Sequence, residues 1–216
     1  MTQASTRHDR SGVWVIGGGG HAKVVIDALQ SADRTVAGVL DSDPKLNGRS
    51  IMGVTITAPF DPYSLAELGI ERAVIAIGNN KVRKVLAEQI PGVAWETVVH
   101  PHAYVAPSVR LFPGAVVVAG VVIQAESVIG SHAIINTGAS VGHDCVVGDY
   151  AHVAPGARMA GAAQLGEGAW LGISSCVIEK RSIGAWTMIG AGAVVLEDIP
   201  CGVMAAGVPA KVFDRR

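Results

Sequence analysis

The sequence predicts two folds in tandem, a small α/β domain and then a parallel β-solenoid, and three observations carry that prediction. From Val105 to Val195 every sixth residue is aliphatic or Met, sixteen positions in phase. Near the N-terminus the apolar run Val13-Trp14-Val15-Ile16 passes into Gly17-Gly18-Gly19-Gly20-His21 and then into helical spacing through Val24, Val25, Ala28 and Leu29. A second apolar run, Val36 to Leu40, ends in Asp41, about twenty residues after the glycines, as in a nucleotide-binding βαβ unit.

The six-residue period fits neither an α-helix nor an alternating strand over such a length. It fits a chain that makes a short strand, turns and repeats, so that three hexapeptides close one triangular coil and sixteen make about five coils. The anchors point inward. The position two before each anchor is mostly small, as in Ala133, Ala139, Ala151, Ala157, Ala163, Ala169 and Ser175, which suits the tight space at the turns. The position after it is often Gly, as at Gly130, Gly142, Gly148, Gly166, Gly172, Gly184 and Gly190, where glycine is expected to supply backbone conformations that a Cβ would penalise. A β-sandwich or barrel would instead show alternation and irregular turn spacing.

The N-terminal part reads as a small Rossmann-like nucleotide-binding domain over residues 1–98, with the solenoid and a C-terminal turn over 99–216. Its first dozen residues read as a frayed terminus, and the Gly- and Pro-containing segment from Asp43 to Pro62 as a connection. A helix is expected from Tyr63 to Leu68, a strand from Arg72 to Ile77 leading to Gly78-Asn79-Asn80, a helix from Lys81 to Gln89, and a last strand from Trp95 to Val99. The domain is too short for two mononucleotide halves, so one nucleotide is expected rather than NAD.

Composition bounds the function. Half of the 216 residues are hydrophobic, 16% are charged, and the formal net charge is −1, which leaves no global basic field for nucleic acid or an acidic membrane. No run approaches the roughly 20 apolar residues of a membrane span, and nothing ahead of Val13 resembles a signal peptide, so a soluble cytoplasmic protein is expected. Cys145, Cys176 and Cys201 share no CxxC spacing, so packing is expected of them rather than disulfides or zinc.

Among the outward positions of the repeat, Asn136, His143, Asp144 and His152 stand out as polar. A lone surface histidine is usually inert. His100 and His102 flank Pro101, but no third ligand follows at a suitable spacing, so no metal is expected. His21 either cradles phosphates or caps its helix, and Asn136 either bridges subunits or ladders along the coil.

The glycine turn, Ala76-Ile77-Gly78-Asn79-Asn80, the Gly142-His143-Asp144 step and Gly207-Val208-Pro209-Ala210-Lys211 together resemble the sugar-nucleotide N-acetyltransferases, which pair an α/β domain with a left-handed parallel β-helix. The likeness covers nearly the whole chain. It implies the left hand of the coil, assembly as a homotrimer with active sites between subunits, and acetyl-CoA as co-substrate. It also implies His143 as general base with Asp144 orienting it, and His152 near the thioester. Coenzyme contacts are implied at the backbone of Ile173 and Ala191 and at Lys211 beside the phosphates, although a solvated tail lysine remains the alternative there. Sugar-nucleotide contacts fall on Gly19, Gly20, His21, Asp41, Ser42 and Gly78. Ser42 stands where the UDP-sugar branch carries an acidic residue, and the branch acting on GDP-linked 4-amino-4,6-dideoxy sugars, which serves O-antigen and lipopolysaccharide synthesis, is the closer match.

The residue types suit that chemistry. A protonated amino sugar cannot attack a thioester until it loses a proton, and a histidine, with an ordinary pKa of about 6.5, can take that proton and later return it to the leaving thiolate. No Cys or Ser is placed for an acyl-enzyme, so direct attack is expected. Three alternatives stay open: a UDP-linked amino sugar, O-acetylation of sialic acid by the same His143, or a non-catalytic nucleotide sensor whose solenoid is a scaffold.

Overall fold

The computed structural model describes residues 12–65 and 68–213, so the first eleven residues, read above as a frayed terminus, lie outside the described residues. The N-terminal part comprises β1 (Val13–Ile16), α1 (Gly20–Ser31), β2 (Val36–Leu40), β3 (Ser50–Ile51), β4 (Val54–Thr57), β5 (Arg72–Ile75), α2 (Asn80–Gln89) and β6 (Ala94–Trp95). They form one sheet in the order β3-β4-β2-β1-β5-β6. All its pairings are parallel except the β3–β4 hairpin. β1 is central and buried along its length, which is why it reads as four apolar residues in a row. Its two neighbours, β2 and β5, leave it in opposite directions across the sheet, so the turns after β1 and β5 open a crevice at their carboxyl ends.

Three expectations change. The segment from Asp43 to Pro62 is not a plain connection: Met52 and Gly53, at φ +49° and +80°, make the tight turn of the β3–β4 hairpin, and β4 extends the sheet beyond β2. The helix expected from Tyr63 to Leu68 is a single 3₁₀ turn, Pro62–Ser64, started by the Asp61 side chain accepting from the Tyr63 N–H, and residues 66 and 67 lie outside the described residues. The strand from Trp95 to Val99 is two strands. β6 ends at Trp95, and Val98–Val99 is already the first rung of the solenoid.

The solenoid has three faces of two-residue parallel strands. Partners such as Val117 and Ile135, Ile123 and Val141, and Ile129 and Val147 lie 18 residues apart, so three hexapeptides close each coil. The first face runs through Val98–Val99, Val116–Val117, Ile134–Ile135, His152–Val153, Trp170–Leu171 and Met188–Ile189 to Met204–Ala206, with Lys211–Phe213 returning antiparallel at its end. The second runs from Tyr104–Val105 to Val194–Val195, and the third from Arg110–Leu111 to Ser182–Ile183. Each anchor is the second residue of its strand and points into the prism, where the column from Val117 to Val195 is 0–3% exposed. The fold is a parallel β-helix behind a Rossmann-like domain.

The glycines after the anchors have a different cause from the one expected. None has a positive φ. A Cβ on Gly130, Gly142, Gly148, Gly166 or Gly172 would instead stand 2.5–2.8 Å from backbone atoms of the next coil. The left-handed conformations sit at the coil corners, two residues further on, and non-glycine residues take many of them: Glu126, Asp144, Ala162 and Lys180 at one corner, His132, Tyr150 and Trp186 at another. Gly166→Val is therefore expected to destabilise the protein by about 2–3 kcal/mol or more through overpacking. The matching fall in melting temperature is roughly 2–4 °C per kcal/mol. Gly138→Ala, at φ +65° with nothing within 4 Å of its Cβ, is expected to cost only backbone strain of about 1 kcal/mol. Equal losses in a thermal melt would show that close approach is not the cause.

The two parts share a core. Ala22, Val25, Ile26 and Leu29 of α1 pack on Val98, Val116 and Ile134, the outward residues of the first face, in one buried cluster. The N-terminal domain thus roofs the first coils of the first face, while Met188 further along it is 41% exposed.

Candidate active site

On the first face the next outward residue after Ile134 is His152. It points away from the prism as expected, yet it is only 4% exposed, because the N-terminal domain covers it. Its ring lies 4.3 Å from Trp170 and 6.3 Å from His21 of α1, centroid to centroid. The Asn136 Oδ1 accepts from the Thr137 N–H at 2.8 Å, which turns its Nδ2 toward the His152 Nε2 at 3.0 Å. Nε2 is then an acceptor and the proton sits on Nδ1, which makes no hydrogen bond of full geometry among the described residues. Burial, followed by the charges of Arg83 and His21, pushes the His152 pKa down to about 3, and a contact with the Gly78 backbone opposes the shift. His21 is likewise lowered to about 4, by burial and then by Arg83, so its ring is neutral near pH 7; its Nε2 also has no hydrogen-bond partner among the described residues.

Around these rings the glycine turn and the Gly78 turn meet. A Cβ added at Gly19, Gly20 or Gly78 would touch nothing within 4 Å, and none of the three has a positive φ, so the chain's own packing does not demand glycine there. What such positions offer is bare backbone, Gly19 and Gly20 at the amino end of α1 and Gly78 just ahead of α2, open to phosphate oxygens. On the far side of the turn a cavity of about 150 Å³ lies between Gly17, Asp41, Ser42, Phe60, Ile77 and Leu86. Asp41 is partly committed already: its Oδ2 accepts from the Gly18 N–H at 2.6 Å and its Oδ1 from the Asp43 N–H at 2.8 Å.

Ile173 and Ala191 occupy successive coils of the edge where the first and second faces meet, and the Gly192 N–H donates to the Ile173 carbonyl at 2.8 Å. Lys211 pairs with Ala206 at the same end of the first face, with its Nζ 3.6 Å from Glu197. From His152 to the strand of Lys211 is four strand steps of about 4.8 Å each, so the positions expected to meet the coenzyme fall along one edge.

His143 is elsewhere. It sits on the turn between the second and third faces, 63% exposed, its Nδ1 2.6 Å from the Asp144 Oδ2, and its ring lies over Gly161, where a Cβ would come within 2.5 Å of Nε2. In a triangular coil this edge is the one opposite the first face. Within a single chain the structure therefore gathers Gly19, Gly20, His21, Gly78 and His152, with Asp41 and Ser42 next to them, and holds His143 and Asp144 apart.

The residue that joins the two domains was not anticipated. Arg83 of α2 is 1% exposed and, among the described residues, makes no hydrogen bond to a carboxylate. Its Nε donates to the His132 carbonyl at 2.7 Å, its Nη1 to Ile77 at 2.8 Å and Gly78 at 3.3 Å, and its Nη2 to Tyr150 at 2.7 Å and the Asn80 Oδ1 at 2.9 Å. Asn80 in turn donates to the carbonyls of Gly168 and Ala169. A larger cleft of about 590 Å³ runs along the third face past Val146, Gln164, Ser182 and Cys201 and includes none of the expected site residues.

The solved structure of a histidine-to-asparagine mutant of perosamine N-acetyltransferase from Caulobacter crescentus, in complex with CoA and GDP-perosamine, is 45% identical to this chain. The match covers 94% of this chain and 97% of that one, with a TM-score of 0.90. The chain belongs to the sugar-nucleotide N-acetyltransferases of the left-handed β-helix family. That membership makes it an acetyl-CoA-dependent acetyltransferase. The PglD N-terminal domain family matches residues 12–90 and the bacterial transferase hexapeptide family residues 126–161. A second similar structure, the acetyltransferase domain of PglB from Neisseria gonorrhoeae in complex with acetyl coenzyme A, is 34% identical over 94% of this chain and 99% of that one, with a TM-score of 0.83. A curated 2,3,4,5-tetrahydropyridine-2,6-dicarboxylate N-acetyltransferase of Clostridium perfringens is 42% identical over 43 residues, and that match spans only 18% of its length.

Proposed function

We propose that this protein is a homotrimeric, cytoplasmic N-acetyltransferase that moves acetyl from acetyl-CoA to the 4-amino group of a nucleotide-linked 4-amino-4,6-dideoxy sugar, with GDP-perosamine the favoured acceptor. The observation that carries the reading is the match over nearly the whole chain to an acetyltransferase in complex with both CoA and GDP-perosamine. The product would serve O-antigen or other lipopolysaccharide synthesis. Among the described residues no helix is long and apolar enough to cross a membrane.

The geometry supports the following roles. The backbone at Gly19, Gly20 and Gly78 receives the diphosphate beside His21, while Asp41 and Ser42 line the cavity for the nucleoside. Acetyl-CoA lies along the edge marked by Ile173, Ala191 and Lys211, with its thioester at His152. The lone donor of His152, Nδ1–H, then faces a carbonyl rather than water. His143 comes from a second copy, because its own chain carries it on the opposite edge. Its Nδ1–H is held by Asp144, which leaves the Nε2 lone pair to take the proton from the sugar ammonium. The freed amine attacks the thioester carbonyl carbon, the C–N bond forms, and the tetrahedral intermediate collapses by breaking the C–S bond. Of the two protons the ammonium nitrogen loses on becoming an amide, one passes through His143 to the leaving thiolate and the other is released to solvent, so the net products are the N-acetyl sugar, CoA and one proton.

The test is CoA release from acetyl-CoA with a panel of GDP- and UDP-linked amino sugars and a sialic acid. Turnover of a GDP-linked 4-amino sugar is the expected result. Turnover with UDP sugars alone would overturn the guanosine assignment, turnover with the hydroxyl acceptor alone would make the protein an O-acetyltransferase, and nucleotide binding without any transfer would leave it a sensor.

A further inference from the structure

An arginine buried without a carboxylate partner is an expensive way to join two domains. Desolvating a guanidinium costs several kcal/mol, and an apolar side chain of like volume would bind α2 to the solenoid without that penalty. Arginine offers something an apolar residue cannot, a rigid fork of five donors in fixed directions. Arg83 directs its fork to three separate segments. Nη1 holds the carbonyls of Ile77 and Gly78, which form the turn after β5; Nε holds His132 on one coil; Nη2 holds Tyr150, two residues before His152 on the next coil, and Ala151 at 3.4 Å. One planar group thus fixes the spacing between the turn that faces the sugar nucleotide and the strand that carries His152.

We propose that Arg83 is a positioning residue for acetyl transfer, locking the Ile77-Gly78 turn to the coil bearing His152 so that the nucleotide-linked amine and the thioester are held in reach of one another. The inference rests on the functional reading above. The charge of Arg83 supports it. The groups packed about the guanidinium are His21 from α1, Asn80 from α2, His132 and Tyr150 from the edge between the third and first faces, and His152 from the first face, and its field acts against a second proton on His21, His132 and His152. A His152 with both nitrogens protonated could no longer accept from Asn136, so the cation also protects the tautomer in which Nδ1 is the donor.

Two full-chain variants test this. Arg83→Lys keeps the charge and loses the fork; Arg83→Met loses both. In Arg83→Lys, kcat per CoA-binding site is expected to fall about 10- to 100-fold, the scale of a displacement of about 1 Å in a reacting pair. The KM for acetyl-CoA should change little, and the His152 ring should titrate by NMR as in the parent. In Arg83→Met the His152 signal should titrate at higher pH. A folded Arg83→Lys protein with the parent's kcat overturns the proposal, as does an Arg83→Met protein whose His152 titration has not moved. Should Arg83→Met fail to fold, Arg83→Lys decides alone. Should the parent transfer acetyl to no amino sugar, the functional reading fails instead, and the NMR titration still judges the electrostatic half of the coupling.

Discussion

A His143→Ala protein is expected to keep its fold and assembly and to lose acetyl transfer by about 10²–10⁴-fold in kcat, the range for a positioned general base. The imidazole is 63% exposed and rests on a glycine of the coil below, so its removal opens no cavity. Asp144→Asn, which keeps the side-chain shape and weakens the hold on Nδ1, is expected to cost less than His143→Ala. CoA release at saturating acetyl-CoA and amino sugar, alongside a thermal melt, separates lost chemistry from lost fold. A kcat within threefold of the parent would remove His143 from the reaction.

The geometry sharpens this experiment. His143 stands on the edge opposite the face that carries His152, so the proposed reaction requires the two from different chains. His152→Phe, which retains a ring against Trp170 but not the Nδ1 donor, is expected to be inactive as well. Co-expressed and randomly assembled, the two inactive chains should regain activity, since about a quarter of the interfaces in a cyclic oligomer would pair an intact His143 with an intact His152. No recovery from mixed assemblies would mean that one chain supplies both residues.

The sequence displayed the solenoid plainly because its core is one-dimensional. Val117, Ile135 and Val153 stack on one another 18 residues apart, and any disruption of that spacing would move a polar residue into the prism. β1 and the glycine turn were legible for a similar reason, a run of four buried apolar residues followed at once by bare backbone. What stayed hidden depends on contacts between distant segments. Nothing in Asn79-Asn80-Lys81-Val82-Arg83 announces that Arg83 will meet carbonyls at 132 and 150, and an arginine within a charged helix reads as solvated. Met52-Gly53 lacks the Asn-Gly or Asp-Gly signal of a tight hairpin, so β3 and β4 passed for a connection. Of the site, His143 could be found from its polarity amid an apolar repeat, but that His152 is roofed over follows from α1 packing on Val116 and Ile134, a tertiary fact. The glycines after the anchors were visible and their cause was not, since a backbone approach between coils leaves no mark on the local sequence.

The roofed histidines also make the junction of the two domains sensitive to acid. His21 and His132 are held down at about 4 and His152 at about 3, from an ordinary value of 6.5, each chiefly by burial and then by the charge of Arg83. A group with a depressed native pKa of this cationic kind is neutral in the fold and takes up its proton on unfolding. Stability is therefore full above about pH 6.5 and declines as the pH falls toward 4, where the unfolded chain binds up to three more protons than the folded one. The slope at its steepest is roughly 2–4 kcal/mol per pH unit, against a total stability on the order of 5–15 kcal/mol. The joint between α2 and the first face is expected to yield first, because Arg83, His132 and Tyr150 all sit there, the two rings stacked at 5.4 Å between centroids. Urea midpoints followed from neutral pH down to about pH 5 should fall steeply, and His132→Phe, which keeps the stack and removes one proton from the difference, should flatten the slope by about a third. A midpoint that stays level over that range would mean the histidines are already charged in the fold, and would require water or an anion at the junction to hold them so.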